Sequence, residues 1–334
     1  MTKHSTQPFL AIAGGVFAVV LSGIASAQTS ASPSGSPSGL SSSPSGSFSE
    51  VSETVATQLI SSTSFTQMLA ISNAISFRAG GAFQVPPGAR ADSGQRFGMA
   101  AGGATQKWNT WGSITGDTFK YTPTDQKLDT TNVVLGADYA LNPMLTIGAS
   151  AAFDRSTGSL FNVTTTGYTV APYIGWQINK EWSLDAIIGW GKGDTDVGAI
   201  TIKPDRFFYG SNLSYTTWAG NWQLSAKGSY LYGEEEYDSP FSFKNKIDQW
   251  RLGGRVGYWM DGILPYFALS YSSDSQKTPG AGTSNLGEEA TLVSLGVDFI
   301  SLKNNLTGGI VISTESGRSN SKRDSVMVNI NYRF

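Results

Sequence analysis

The last ten residues of the chain alternate between apolar and polar side chains. Every second position of 325–334 is apolar or aromatic, and these positions are Val326, Val328, Ile330, Tyr332 and Phe334. A β-strand places alternate side chains on opposite faces, so this segment has one apolar face. Such a face points into the core of a soluble sheet, or outward to lipid in a transmembrane barrel whose polar faces line the lumen.

The same alternation recurs along the chain and predicts twelve strands. Their approximate ranges are 104–113, 131–141, 144–154, 166–177, 181–191, 206–218, 221–232, 248–259, 264–272, 289–299, 304–314 and 324–334. Aromatic residues fall near the strand ends, where a membrane barrel carries an interfacial girdle. These residues are Trp176, Trp182, Trp190, Trp222, Tyr232 and Trp259.

Short and long connections alternate between the predicted strands. Asn-Pro at 142–143 and Asp-Gly at 261–262 are typical of tight turns. Longer polar loops are predicted at 114–130, 155–165, 192–205, 233–247, 273–288 and 315–323. An outer-membrane barrel has short periplasmic turns and longer extracellular loops, whereas a soluble β-sandwich, the alternative fold, has no reason to keep its long loops at one end. The predicted fold class is therefore all-β transmembrane, with a twelve-stranded antiparallel β-barrel over 103–334.

The period of the apolar positions changes from two to a helical spacing over residues 50–78. The apolar stripe is flanked by a face rich in Ser and Thr that carries little charge. That polar face fits a helix inside a polar pore and fits equally a helix packed on the outside of a domain. Residues 79–102, with Gly80-Gly81 and Pro86-Pro87-Gly88, are predicted to form a loop.

Residues 1–27 have the pattern of a secretory signal peptide. Lys3 and His4 precede a largely apolar run from Phe9 to Ile24, and Ala25-Ser26-Ala27 matches a small-x-small cleavage site. An uncleaved anchor is the alternative, but the run is shorter than the ~20 residues that a spanning helix needs. Residues 28–49, rich in Ser, Pro and Gly, are predicted to be a disordered linker, either a spacer or an exported tip.

Composition narrows the function classes. With 23 Lys and Arg against 25 Asp and Glu, the chain has no basic excess for binding nucleic acid. It has no Cys, and its single His lies in the predicted signal peptide, so the mature chain lacks a His general base. We therefore expect no enzyme, no cofactor and no metal. Glu234, Glu235, Glu236 and Asp238 are interpreted as a solvated loop surface, with a Ca²⁺ site as the alternative.

Five charged residues fall on the predicted lumen faces of the strands. They are Asp138, Asp185, Lys227, Arg251 and Arg255. An Arg or Lys facing lipid near the midplane costs about 2–4 kcal/mol, which favours the inward orientation. Two roles stay open at this stage. The five residues either pair across the lumen and hold the helix, or form a ring that selects solutes.

Several short motifs, in this order, resemble those of the autotransporter β-domain, the twelve-stranded translocator barrel of type V secretion. The resemblance covers about 98–334. The motifs are Lys-Trp-Asn-Thr-Trp-Gly at 107–112, Val-Leu-Gly-Ala-Asp-Tyr at 134–139, Tyr-Thr-Val-Ala-Pro-Tyr at 168–173, Leu-Pro-Tyr at 264–266, Leu-Gly-Val-Asp at 295–298 and the terminal Tyr-Arg-Phe.

The resemblance implies an outer-membrane translocator or pore domain, with a helix in the pore preceding the barrel. It also implies that Val326, Val328, Ile330, Tyr332 and Phe334 form the signal read by the barrel-assembly machinery after periplasmic chaperones deliver the chain. A monomer in outer-membrane lipid is expected. Members of the family carry a long passenger, but only 28–49 lies between signal peptide and helix here. A small-solute channel and an adhesive protein acting through its loops are the alternative functions.

Overall fold

The computed structural model describes residues 65–77, 107–123, 125–158, 163–197, 200–237, 243–277, 287–301 and 304–334. Within these ranges, no helix is both long and apolar enough to cross a membrane. The predicted signal peptide (1–27), the linker (28–49) and the loop 79–102 lie outside the described residues, as do 50–64 and 78 of the predicted helix.

Twelve long strands and one short strand follow the helix. They are β1 Trp108–Tyr121, β2 Gln126–Ala140, β3 Leu145–Gly158, β4 Thr164–Gln177, β5 Trp182–Val197, β6 Ile200–Ile202, β7 Pro204–Ala219, β8 Trp222–Tyr237, β9 Phe243–Tyr258, β10 Ile263–Lys277, β11 Glu289–Ser301, β12 Leu306–Ser316 and β13 Ser321–Arg333. The three-residue β6 pairs only with the last residues of β5 and takes no part in the barrel wall.

The twelve long strands form one closed antiparallel barrel. Neighbouring strands pair in chain order, and the first strand returns to the last, with Asn109 opposite Arg333 and Tyr121 opposite Ser321. Closure satisfies the backbone groups of every strand, as a sheet in hydrocarbon requires. The predicted fold class, a twelve-stranded antiparallel barrel with a preceding helix, is confirmed.

The strands are longer than the alternation predicted, and the loops are correspondingly shorter. Most of the predicted loop 114–130 is strand, because β1 continues to Tyr121 and β2 begins at Gln126. Most of the predicted loop 233–247 is also strand, because β8 ends at Tyr237 and β9 begins at Phe243. Beyond the hydrocarbon, an outward side chain need not be apolar, so the alternation fades while the backbone pairing continues.

The two ends of the barrel are distinguished by chain direction. The turn end is where β1, β3, β5, β8, β10 and β12 begin, and the loop end is where those strands finish. Trp176, Trp182 and Trp222 lie exposed on the outer surface near the turn end, and Trp190 lies exposed in the middle of β5. Trp259 is buried inside the turn end against Trp218, so its predicted place in the outer girdle is wrong.

Residues 65–77 are helical, and their side chains are buried on every side of the helix. Only Phe65, Asn73 and Phe77 are partly accessible. A helix buried all round must be enclosed by other structure. The residues that enclose this helix are inward-facing side chains of the strands, so it lies inside the barrel.

Candidate functional site

The helix packs against one half of the lumen rather than along its axis. Met68, Ile71 and Ile75 on the helix form a single buried cluster with inward-facing residues of β1 to β5, β7 and β8. The wall residues of this cluster are Trp111, Val134, Ala152, Ala171, Tyr173, Ile187, Phe208 and Leu231. The alternation predicts a polar lumen. The apolar face of an enclosed helix, however, is removed from water only where the wall residues around it are apolar as well.

A buried polar cluster, the Gln67 node, joins the helix to the wall near the loop end. The Gln67 amide nitrogen donates to Asp154 Oδ1 at 2.5 Å, and the Gln67 carbonyl oxygen accepts from Thr169 Oγ1 at 2.8 Å. Arg206 Nη1 donates to the same Gln67 oxygen and to Asp154 Oδ1, both at 2.9 Å. One helix side chain is therefore hydrogen-bonded by three strands, β3, β4 and β7.

Arg206 also connects the node to β8. Its Nε donates to Glu235 Oε1 at 3.2 Å, and Glu235 in turn accepts from the Tyr237 hydroxyl. The side chains of Arg206, Asp154 and Glu235 are almost completely buried. Gly167 makes room for them, because a Cβ there would lie 2.3 Å from Arg206 Nη1.

Contacts at the two ends of the helix fix its direction. Near its first residues, Met68 Sδ lies where a Cβ on Gly233 would be, only 2.4 Å away. Gly233 is close to the loop end of β8. Phe77, the last described helix residue, packs against the buried cluster of Trp259, Leu264 and Ile300, which lies at the turn end. The chain therefore enters the helix at the loop end and leaves it at the turn end.

A second set of buried ion pairs lies near the loop end on the opposite side of the barrel. Arg318 Nε donates to Glu315 at 2.6 Å, and its Nη2 donates to Asp274. Arg323 pairs with Asp117 across the β1–β13 seam at 2.7 Å. These residues and Glu235 fall in segments predicted to be loops, and Asp154 and Arg206 lie directly beside such segments, so their pairing was not predicted.

The acidic run at 234–236 belongs to β8 rather than to a solvated loop, which corrects the sequence interpretation. Glu235 points inward to Arg206, while Glu234 forms ion pairs with Lys244 at 2.6 Å and Lys246 at 3.3 Å. The signal that would have shown this is the continued alternation, since Glu235 is in phase with Leu231 and Gly233. In the described residues, no cluster of three or more acidic or His side chains is arranged to hold a metal.

The two predicted lumen carboxylates are each held by neighbouring strands. Asp138 is buried and accepts from Asn109 at 3.1 Å and from the Tyr173 hydroxyl at 2.9 Å. Asp185 is buried and accepts from Asn212 at 2.6 Å. Hydrogen bonds thus tie each carboxylate to the wall around it.

The three predicted lumen cations lie together. Lys227, Arg251 and Arg255 line one cavity beside the helix. Arg255 pairs with Asp298 and stacks on the Tyr266 ring, 3.6 Å from the ring centroid. Of the five predicted lumen residues, the two carboxylates are therefore hydrogen-bonded to the wall, and the three cations line one cavity.

The predicted assembly signal forms the outer face of β13 and the residue after it. Val326, Tyr332 and Phe334 are exposed, Ile330 is partly buried, and Val328 is buried between Ile114 and Ile310 of the adjoining strands. The rings of Tyr332 and Phe334 stack 6.1 Å apart at the turn end. The structure does not test their role as a signal, which stays a prediction.

Comparison with known proteins finds a family match over the first part of the barrel. Residues 99–236 match the family described as the autotransporter β-domain, which confirms the resemblance seen in the sequence. No curated protein matches the chain.

Three solved structures share the fold at low sequence identity. The β-domain of the Bordetella autotransporter BrkA is 14% identical with a TM-score of 0.58, covering 68% of this chain and 100% of its own. The translocator domain of autotransporter NalP from Neisseria meningitidis is 14% identical with a TM-score of 0.57, covering 68% and 89%. An outer membrane channel from Pseudomonas putida F1 is 13% identical with a TM-score of 0.52, covering 75% and 100%.

Replacing Arg206 tests the node. Arg206→Met leaves the carboxylates of Asp154 and Glu235 buried without their cation, and breaking a buried pair in this way costs about 3–5 kcal/mol. We expect a clear fall in the temperature at which the folded, heat-modifiable form is lost on electrophoresis. Arg155→Met is the matched control, because Arg155 is exposed on the outer face of β3 beside Asp154. Equal melting of the two variants would contradict a stabilising node.

Proposed function

We propose that this chain, an autotransporter-type outer-membrane β-barrel, is a translocator or pore domain whose own N-terminal helix plugs one half of its lumen. The observation that carries this proposal is the helix at 65–77, which is buried all round and tied to three strands through Gln67. Such a helix leaves little room for free passage through the half of the barrel that it fills.

The direction of the helix supports an exported N-terminal segment. In outer-membrane barrels the short turns are periplasmic, so the turn end faces the periplasm and the loop end faces outward. The helix begins near the loop end, beside Gly233. We infer that the residues before it, including the Ser/Pro/Gly-rich 28–49, reach the cell surface as an exported tip.

The chemistry of the lumen supports a non-enzymatic role. The buried carboxylates Asp154 and Glu235 are committed to Arg206, and Asp274 and Glu315 are committed to Arg318. A general acid or base must be able to reach a substrate proton. We infer that these groups hold the helix and the wall and do not catalyse a reaction.

A small-solute channel is the second candidate function, and one observation favours it. A cavity of about 240 Å³ lies between the helix and the half of the wall that the helix does not contact. The adhesive alternative has less support, because β8 and β9 occupy most of the predicted loop 233–247.

Conductance in planar bilayers separates the plugged translocator from the channel. We expect deletion of 48–79 to raise single-channel conductance several-fold over that of the intact chain, because the helix then no longer fills its half of the lumen. Deletion of 30–47, which leaves the helix in place, is the matched control and should conduct like the intact chain. Equal conductance of the intact chain and the 48–79 deletion would contradict the plug and favour the channel.

We also propose that the chain is exported with a cleaved signal peptide and is inserted as a monomer by the assembly machinery that reads β13. In outer-membrane fractions the mature protein should begin at Gln28.

The Phe334→Asp variant should give less heat-modifiable barrel, because the substitution places a charge on the exposed outer face of the barrel. Asp324→Asn, at the other end of the same outer face, is the control. An unprocessed N-terminus contradicts cleavage, and unchanged assembly of Phe334→Asp contradicts the signal.

A further inference from the structure

The helix leaves a cavity on the side of the lumen that it does not contact. Ala70, Asn73, Ser76 and Phe77 form the helix side of the cavity, and inward residues of β8 to β13 form most of its wall. Its volume of about 240 Å³ far exceeds the roughly 10–15 Å³ that one water molecule needs on the same measure. The cavity is therefore large enough for a small solute.

Every charged side chain that lines the cavity is a cation. These residues are Lys227, Arg251, Arg255 and Arg323. Arg255 and Arg323 are neutralised by Asp298 and Asp117, which lie behind them. Around the cavity itself, the described residues contribute no carboxylate to the lining.

Lys227 and Arg251 differ from the other two cations, because no ion pair joins either of them to a described residue. They lie on neighbouring strands and repel each other. Asp185 acts electrostatically on Lys227, and Asp274 and Glu315 act on Arg251, but none of these carboxylates forms an ion pair with either cation: Asp185 accepts from Asn212, and the other two pair with Arg318. Two adjacent cations that no described carboxylate contacts directly keep donors with which an anion can form charge-assisted hydrogen bonds.

Hydrogen-bond donors around the two cations also lack partners in the described part of the chain. They are Arg251 Nε, Ser229 Oγ and Ser214 Oγ, all buried, and in the strand register Ser229 lies opposite Arg251 and Ser214 opposite Lys227. A buried donor left unsatisfied is costly, so such groups normally indicate a bound molecule or water. The oxygens of an oxyanion accept several charge-assisted hydrogen bonds at once, which matches this set of donors.

We propose that the cavity binds one small oxyanion between Lys227 and Arg251, with the hydroxyls of Ser214 and Ser229 completing its hydrogen bonding. The site is separate from the Gln67 node, which lies at the other side of the helix near the loop end. The inference does not depend on translocation, because it requires only the helix in place and the wall of β8 and β9 behind the cavity.

Sulfate binding to the purified, detergent-solubilised full chain tests the proposal. Isothermal titration at constant ionic strength should show one saturable sulfate site per barrel. Lys227→Met and Arg251→Met should each weaken the affinity at least tenfold. Lys246→Met removes the same charge from the outer face of β9, where Lys246 pairs with Glu234, and should leave binding unchanged.

The outcomes are distinguishable. Because no described residue forms an ion pair with Lys227 or Arg251, both variants should keep the heat-modifiable fold. Lys227→Gln provides a second charge-removing change if Lys227→Met does not. A wild-type chain without a saturable site would overturn the proposal, showing that water alone fills the cavity. Equal binding by wild type and both lumen variants would overturn it too, because the sulfate would then bind elsewhere.

Discussion

Backbone hydrogen bonding in hydrocarbon is the constraint on which the rest of this structure depends. No strand can leave its N–H and C=O groups open to lipid, so the sheet must close, and it closes where β1 pairs with β13 over their whole length. Closure encloses a lumen lined by every second residue of twelve strands. What fills that lumen then determines what the barrel does.

The lumen is filled asymmetrically. On one side, apolar wall residues such as Val134 and Phe208 receive the apolar face of the helix, and the Gln67 node fixes the helix in register. On the other side, the wall carries Arg, Lys and Ser residues and leaves a cavity. One half of the wall holds the helix in place, and the other half supplies charge that the helix does not neutralise. The contacts that hold the helix and the cations that line the cavity therefore lie on largely different strands of one barrel, and β8 contributes to both.

Much of this architecture could be predicted from the sequence, because lipid imposes a simple rule on outward residues. Alternation identified all twelve barrel strands, and the inward phase of Asp138 and Arg255 follows from the same rule. The ends of the strands were not predicted. Asp117 and Glu235 lie near these ends, where neither the outer nor the inner face of the strand needs to be apolar. The apolar half of the lumen was not predicted either, because inward-facing Val134 and Ile187 are explained only by their packing against the helix.

The Gln67 node marks the limit of prediction from local patterns. Gln67 and Arg206 are 139 positions apart, and no spacing connects them. Only the closed barrel brings β3, β4 and β7 to the same turn of the helix. A single Gln in an otherwise Ser- and Thr-rich helix gives no indication of three buried partners.

Hydrogen exchange of the helix backbone tests the account most directly. In the intact barrel in detergent or lipid, the amides of 65–77 should exchange as slowly as those in the middle of β4, because opening them requires breaking the Gln67 node and exposing the apolar cluster. Exchange of 65–77 at the rate of an unstructured peptide, with β4 still protected, would contradict the account, since it would show a closed barrel whose lumen the helix does not occupy.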